Sequence, residues 1–211
     1  MKKIIYLFAF IFSLNISFSQ NNTFKKVENL NSLKQKITEF TKKTNSIKSN
    51  FTQEKHLEIL EEPLISKGSF LYKKENKIRW EYFEPIKYII TIYNGEFTIK
   101  DETKISKYDI ESNKMFKEIN NMIITSIKGE IINNKEFTTS FFENSNYYLA
   151  RLIPNKKEML DFIKTIKIYF SKKDFSVSKI IMKETEKDYT KILFNNKKIN
   201  LQINDNLFLI K

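Results

Sequence analysis

After Ser46 the apolar residues recur every second position, and turn signals interrupt that alternation every few residues. Side chains of a strand point alternately to its two faces, so this pattern confines most of the chain to half-buried strands joined by short connections. Ile78-Arg79-Trp80-Glu81-Tyr82 alternates without a break. Ile47, Ser49, Phe51 and Gln53 make one face of a long first strand running to Leu60, ended by Glu61-Glu62-Pro63. Ile65 to Lys73 follows, then the turn Glu75-Asn76, then the strand centred on Trp80, stopped by Glu84-Pro85. Lys87 to Tyr93 and Glu96 to Lys100 flank Asn94-Gly95, a pair that tolerates the positive φ of a tight hairpin. Lys104 to Asp109 is a further short strand.

Strands resume at Glu136 to Phe142, Tyr147 to Ile153, Ile163 to Ser171, Val177 to Glu184, Thr190 to Phe194 and Ile199 to Ile203, with Asn195-Asn196 as the last turn. Two segments carry the helical period instead. Leu30 to Ile47 repeats apolar residues at three and four positions, with Thr44-Asn45-Ser46 as its stop signal. Ser112 to Lys128 has a broad apolar face closed by Gly129. Asn155 to Asp161 adds one helical turn. Short connections imply antiparallel neighbours, and so wide a sheet must curl, split or close. The expected class is α+β, mainly β: an antiparallel meander whose concave apolar face is covered by two amphipathic helices.

At the N-terminus, Met1-Lys2-Lys3 precedes an apolar run from Ile4 to Phe12 and a polar stretch from Ser13 to Gln20. With small residues at Ser17 and Ser19, this is the layout of a secretory signal peptide cut after Ser19. The apolar run falls short of the ~20 residues needed to span a bilayer. The expected organisation is a signal peptide at 1–19 and one domain over 20–211. Net charge is +12, with lysines spread along the chain rather than blocked, which reads as a solvated surface and not a nucleic-acid site.

Few residues offer catalysis. There is no cysteine, which excludes disulfides, thiol chemistry and cysteine metal sites. His56 is the single histidine and sits in a strand between Lys55 and Leu57. Acidic residues stand singly at turns or alternate with lysine, so no metal cluster stands out, and no cofactor motif occurs. The expectation is a protein that is not an enzyme and needs no cofactor. Nineteen phenylalanines and ten tyrosines favour binding instead, because aromatic residues on one face of a curled sheet either pack a core or line a cavity.

Phe51-Thr52-Gln53, then Gly68-Ser69-Phe70-Leu71-Tyr72-Lys73, then Ile78-Arg79-Trp80-Glu81-Tyr82 with Pro85, an apolar strand and Asn94-Gly95, occur in that order. This order resembles the outer-membrane lipoprotein carrier protein family, the LolA-type periplasmic carriers. Thr190, Ile192, Phe194, Asn196, Asn200 and Phe208 are similar to the closing strands of that family. The resemblance covers nearly the whole chain after the signal, most specifically from Gly68 to Gly95. It implies an incomplete, half-open barrel of about eleven antiparallel strands with a helical lid. It implies periplasmic transport of lipoprotein acyl chains from the inner to the outer membrane of a Gram-negative bacterium. The partners it implies are acylated lipoproteins or other lipid cargo, an inner-membrane ABC transporter, and either an outer-membrane receptor or the outer membrane itself, with the carrier a monomer.

Carried onto these positions, the cavity is lined by Phe51, Phe70, Tyr72, Ile78, Trp80, Tyr82, Ile90 and Ile92. The lid helix carries Met122, Ile123 and Ile127, and Lys74 stands where proteobacterial carriers place a latch arginine. Lysine brings the charge there without the planar multi-donor fork. Other readings remain: a carrier of a glycolipid or pigment precursor, a non-transporting envelope sensor or scaffold, or a hydrolase. One mutation separates cavity from core. Ile78→Glu is expected to weaken acyl-probe binding while thermal unfolding stays cooperative; loss of the folded state would place Ile78 in the core.

Overall fold

The computed structural model describes residues 23–109, 125 and 135–210. Along the chain these form β1 (Lys25–Lys26), α1 (Leu30–Lys43), β2 (Ser46–His56), β3 (Leu64–Lys73), β4 (Lys77–Glu84), β5 (Tyr88–Tyr93), β6 (Glu96–Lys100) and β7 (Ile105–Asp109). Then come β8 (Phe137–Glu143), β9 (Tyr147–Pro154), a helical turn at Lys157–Leu160, β10 (Thr165–Ser171), β11 (Val177–Lys183), β12 (Tyr189–Ile199) and a 3-10 turn at Asp205–Phe208. All twelve strands belong to one sheet, in the order β1-β8-β9-β10-β11-β12-β2-β3-β4-β5-β6-β7.

The sheet is therefore two meanders joined at a seam, not the single meander the turn pattern suggests. β2 to β7 runs outward to one edge, β8 to β12 returns from the other, and β12 pairs with β2 in the middle, with Phe194 opposite Phe51 and Ile199 opposite Ile47. Among the described residues the sheet is open: β7 pairs with β6 alone, and β1 with β8 alone. To the about eleven strands that the resemblance implies, the structure adds a two-residue β1, too short to leave a periodic signal.

Several expected boundaries shift. α1 stops at Lys43, because the ladder between β2 and β3 takes up Ser46 and Ile47. The Asn29 side chain caps its start by accepting from Ser32 N at 2.9 Å. Its end is held by Asn200, whose amide donates to Lys43 O at 2.9 Å and accepts from Asn45 N at 2.7 Å. β2 ends at His56, short of Leu60. The expected hairpin at Asn195-Asn196 is instead a bulge inside one continuous strand, β12, and Ile203 is not in a strand. Asn196 has φ 52°, a conformation that serves a hairpin and a bulge alike, so local sequence cannot tell the two apart. Apart from residue 125, the Ser112–Lys128 segment, with Met122, Ile123 and Ile127, lies outside the described residues, as does the expected signal peptide.

The apolar residues form three cores. Leu33 and Ile37 of α1 pack on Phe137, Phe141, Ala150, Leu152, Ile166 and Ile168 of β8 to β10. Burying each of those two helix side chains contributes about 1.5–3 kcal/mol. A second core lies on β2 to β6 and β12, around Phe51, Phe70, Tyr72, Ile78 and Ile92. On the opposite face, Phe208 and Ile203 cover Leu71, while Lys73 and Lys77 both donate to Asp205, at 2.5 and 2.7 Å.

Gly68 makes the second core possible. The ring of Phe51 lies over it, and a Cβ there would stand 2.0 Å from Glu81 O and 2.7 Å from that ring. A rigid backbone atom is one of the two clashes, so relaxation has little room. Gly68→Ala is expected to cost about 3 kcal/mol, the upper end of ordinary overpacking, measured as a lower denaturant midpoint at unchanged slope.

Candidate functional site

Strands six places apart in the sheet face one another across a cavity of about 720 Å³. Ile78, Trp80 and Ile90 of β4 and β5 form one wall; Ile166 and Ile168 of β10 and Ile180 of β11 form the other. Only a strongly curled sheet brings β5 and β10 to the same volume. Phe40 and Thr41, in the last turn of α1, complete the lining.

Six of the expected lining residues reach this cavity: Phe70, Ile78, Trp80, Tyr82, Ile90 and Ile92. Phe51 and Tyr72 do not; both are buried in the second core behind that wall. Phe51 supports it directly, with ring centroids 5.1 Å from Trp80 and 4.9 Å from Tyr82. Ile78 is 1 % exposed and belongs to core and wall at once, so Ile78→Glu burdens folding more than the sequence pattern suggests. Ile90 is only half-buried and is the cleaner probe.

Trp80 sits at the centre of an aromatic cluster, also 5.0 Å from Phe70 and 6.0 Å from Phe194. Its indole N–H is buried near the Tyr82 hydroxyl without a well-formed hydrogen bond among the described residues. Tyr82 donates to Gln53 Oε1 at 3.0 Å and stacks on Tyr88 at 4.1 Å. Burial pushes the Tyr82 hydroxyl well above the ordinary tyrosine range, and the Tyr88 charge adds to the shift. It is a neutral donor at any physiological pH.

The ends of the cavity differ in charge. Phe162, Asp161, Glu184, Thr185 and Asp188 stand at one end, with Glu184 ion-paired to Lys55. At the other end are Phe175, Ser176 and Lys197. The sequence reading missed the β10–β12 wall, although Ile166, Ile168 and Phe170 alternate as plainly as Ile78, Trp80 and Tyr82. It missed Lys197 because Asn195-Asn196 reads as a turn, which leaves that residue in a connection between two strands.

Lys74 lies outside the cavity and ties α1 to the sheet: its ammonium donates to Lys42 O at 2.9 Å and its backbone N to Asn45 O at 2.8 Å. A cation on the last carbonyls of a helix is favourable. His56 does not line the cavity; it stacks on Tyr189 at 4.1 Å with Nε2 3.3 Å from Glu54. Among the described residues, no group of three or more His, Cys, Asp or Glu is placed to hold a metal ion. None of their helices is long and apolar enough to cross a membrane.

Comparison with known proteins places this geometry. Residues 42–211 match the family described as "Outer membrane lipoprotein carrier protein LolA". An outer-membrane lipoprotein carrier protein of Francisella tularensis subsp. novicida is 28% identical over 218 residues, covering 99% of this chain and 92% of that protein. Another, from Francisella philomiragia, is 25% identical over 221 residues, covering 100% and 94%. Among solved structures, an uncharacterised conserved protein from Thermus thermophilus has a TM-score of 0.51 at 6% identity, covering 84% of this chain and 91% of its own. The Pseudomonas aeruginosa MucA/MucB complex has a TM-score of 0.51 at 8% identity, covering 85% and 60%. At such identities these two structures show the fold alone.

Trp80 is the sole tryptophan and stands in the cavity wall. Adding a fatty-acyl ligand to the purified protein is expected to shift its emission to the blue and change its intensity. Unchanged emission at saturating ligand would show that the ligand sits elsewhere.

Proposed function

The chain belongs to the outer membrane lipoprotein carrier protein LolA family, and on that premise we propose that the cavity between its curled sheet and α1 holds the acyl chains of lipoproteins during transport. The family is one of non-enzymatic periplasmic transport proteins with lipoprotein cargo. The single observation supporting a direct role for the cavity is its composition: isoleucine, phenylalanine, methionine and tryptophan side chains from both arms of the sheet line one continuous volume.

The energetics suit a carrier. Burying one methylene is worth about 0.8 kcal/mol, so a chain of about sixteen carbons offers on the order of 10 kcal/mol before ordering costs. That suffices to keep an acyl chain out of water. Release then needs an acceptor of comparable apolarity, or a change in the cavity wall. In this reading the basic N-terminal segment 1–19 directs export. Donor and acceptor are an inner-membrane ABC transporter and an outer-membrane receptor or the outer membrane itself. Lys74 keeps α1 seated on the rim, and Phe70, Ile78, Trp80, Tyr82, Ile90 and Ile92 contact the chain.

Ile90 isolates binding from folding, since it faces the cavity without full burial. Ile90→Glu places a carboxylate against the bound hydrocarbon. It is expected to weaken a fluorescent acyl probe at least tenfold, about 1.4 kcal/mol, with little change in the thermal unfolding midpoint. Wild-type affinity in the variant would remove the cavity as the acyl site.

A further inference from the structure

The bulge in β12 turns a lysine into the lipid cavity. Ile192 and Phe194 face the cavity, and regular alternation would send Lys197 to the outer face with Asn195. The register shows why it does not. Asn195 pairs with Asn50 and Lys198 with Lys48, so Asn196 and Lys197 together stand opposite Ser49. Asn196 takes the left-handed conformation, φ 52°, and absorbs the extra residue. Bulges of this kind re-aim side chains and concentrate beside functional sites. Here Lys197 and Ser49 both line the cavity.

The ammonium sits in an unusual setting. It donates to Ser176 Oγ, to Ser178 Oγ at 3.1 Å and to Val177 O at 3.2 Å, all neutral oxygens. Ser176 Oγ donates in turn to Asp174 Oδ1 at 2.7 Å. Phe40, Phe175 and Val177 line the cavity around the same end. Burial pulls the Lys197 pKa below the ordinary lysine range, and Asp174 opposes that shift. Among the described residues its direct hydrogen-bond acceptors are neutral, with the Asp174 carboxylate one hydroxyl away, and a partly desolvated cation in such a setting gains when an anion joins it directly.

We propose that Lys197, presented by the β12 bulge beside Ser176, is a head-group site for acyl lipids that carry an anion, a carboxylate or a phosphate, next to the chain. The inference rests on the reading of the cavity as an acyl site. The chain then runs along β11 from Val177 towards Glu184, both cavity residues, a span of about 23 Å at the usual strand rise of ~3.3 Å per residue. Asp161 and Asp188 line the far end, where Glu184 is neutralised by Lys55, so the charges of the cavity favour one orientation, anion at Lys197 and tail away from it.

Three ligands of matched chain length separate the terms: palmitate, hexadecyl phosphate and methyl palmitate, each titrated into the purified protein. At least one of the two anions is expected to bind tenfold or more tighter than the neutral ester, and the tighter of the two identifies the head group. Lys197→Met is expected to reduce that preference below twofold without weakening the ester, and Lys197→Arg to keep it. Ester and anions binding equally well to the wild-type protein would overturn the inference while leaving the acyl cavity intact, and this comparison needs no variant to fold. A preference that survives in Lys197→Met also overturns it. Failure of all three ligands to bind would remove it together with the cavity reading.

Discussion

Among the described residues, a curled twelve-stranded sheet has more concave apolar surface than the one fourteen-residue helix can cover, and the cavity follows from this mismatch. A helix of that length spans about 21 Å and covers a single stripe. Leu33 and Ile37 spend that stripe on β8 to β10, where the core is dense. Among the described residues, nothing of the kind lies on the other arm. There side chains of β4 and β5, packed among themselves on one side, line a cavity on the other. Apolar walls facing empty volume forfeit dispersion contacts, and a hydrocarbon chain restores them.

A cavity of this kind persists only if its wall is stiff. Gly68 makes room for the ring of Phe51, which meets Trp80 at a tilt and Tyr82 edge-on, and Trp80 is wedged among three phenylalanines. Tyr82 is fixed at both ends, by Gln53 and by stacking on Tyr88. These aromatic contacts do not touch the cavity volume in every case. They hold in place those that do. The seam between β12 and β2 has the same role on a larger scale, because it joins the two arms that face each other. Asn200 then links the end of β12 to the end of α1, so helix and seam are held by one side chain.

Charge is distributed with the same asymmetry. Several half-buried lysines pair with nearby carboxylates, as Lys55 with Glu184, Lys172 with Glu143 and Lys191 with Glu54. Such partly exposed pairs add little stability each. They allow a chain with a formal charge of +12 to fold without a single-sign patch at every strand. Lys197 differs because a bulge turns it inward.

Much of this was legible from residue order. Period-two alternation marks β3 to β6 nearly to the residue, Asn94-Gly95 marks the hairpin, and Gly68 to Gly95 carries the family resemblance that the comparisons bear out. Periodicity also separates the two faces of each strand, and the family resemblance then groups Phe70, Ile78, Trp80, Tyr82, Ile90 and Ile92 on the cavity side. Alternation cannot say which inward residue meets the cavity and which lies behind the wall; Phe51 and Ile78 look alike in sequence. Nor can it see the pairing of β12 with β2, because residues so distant in the chain share no local pattern. The bulge at Asn196 shifts strand parity by one, so only the folded register shows that Lys197 points inward. Local preferences determine which segments become strands and which faces are greasy. Curvature, seam and bulge are set by contacts between distant segments, and those alone decide that the greasy faces enclose a space.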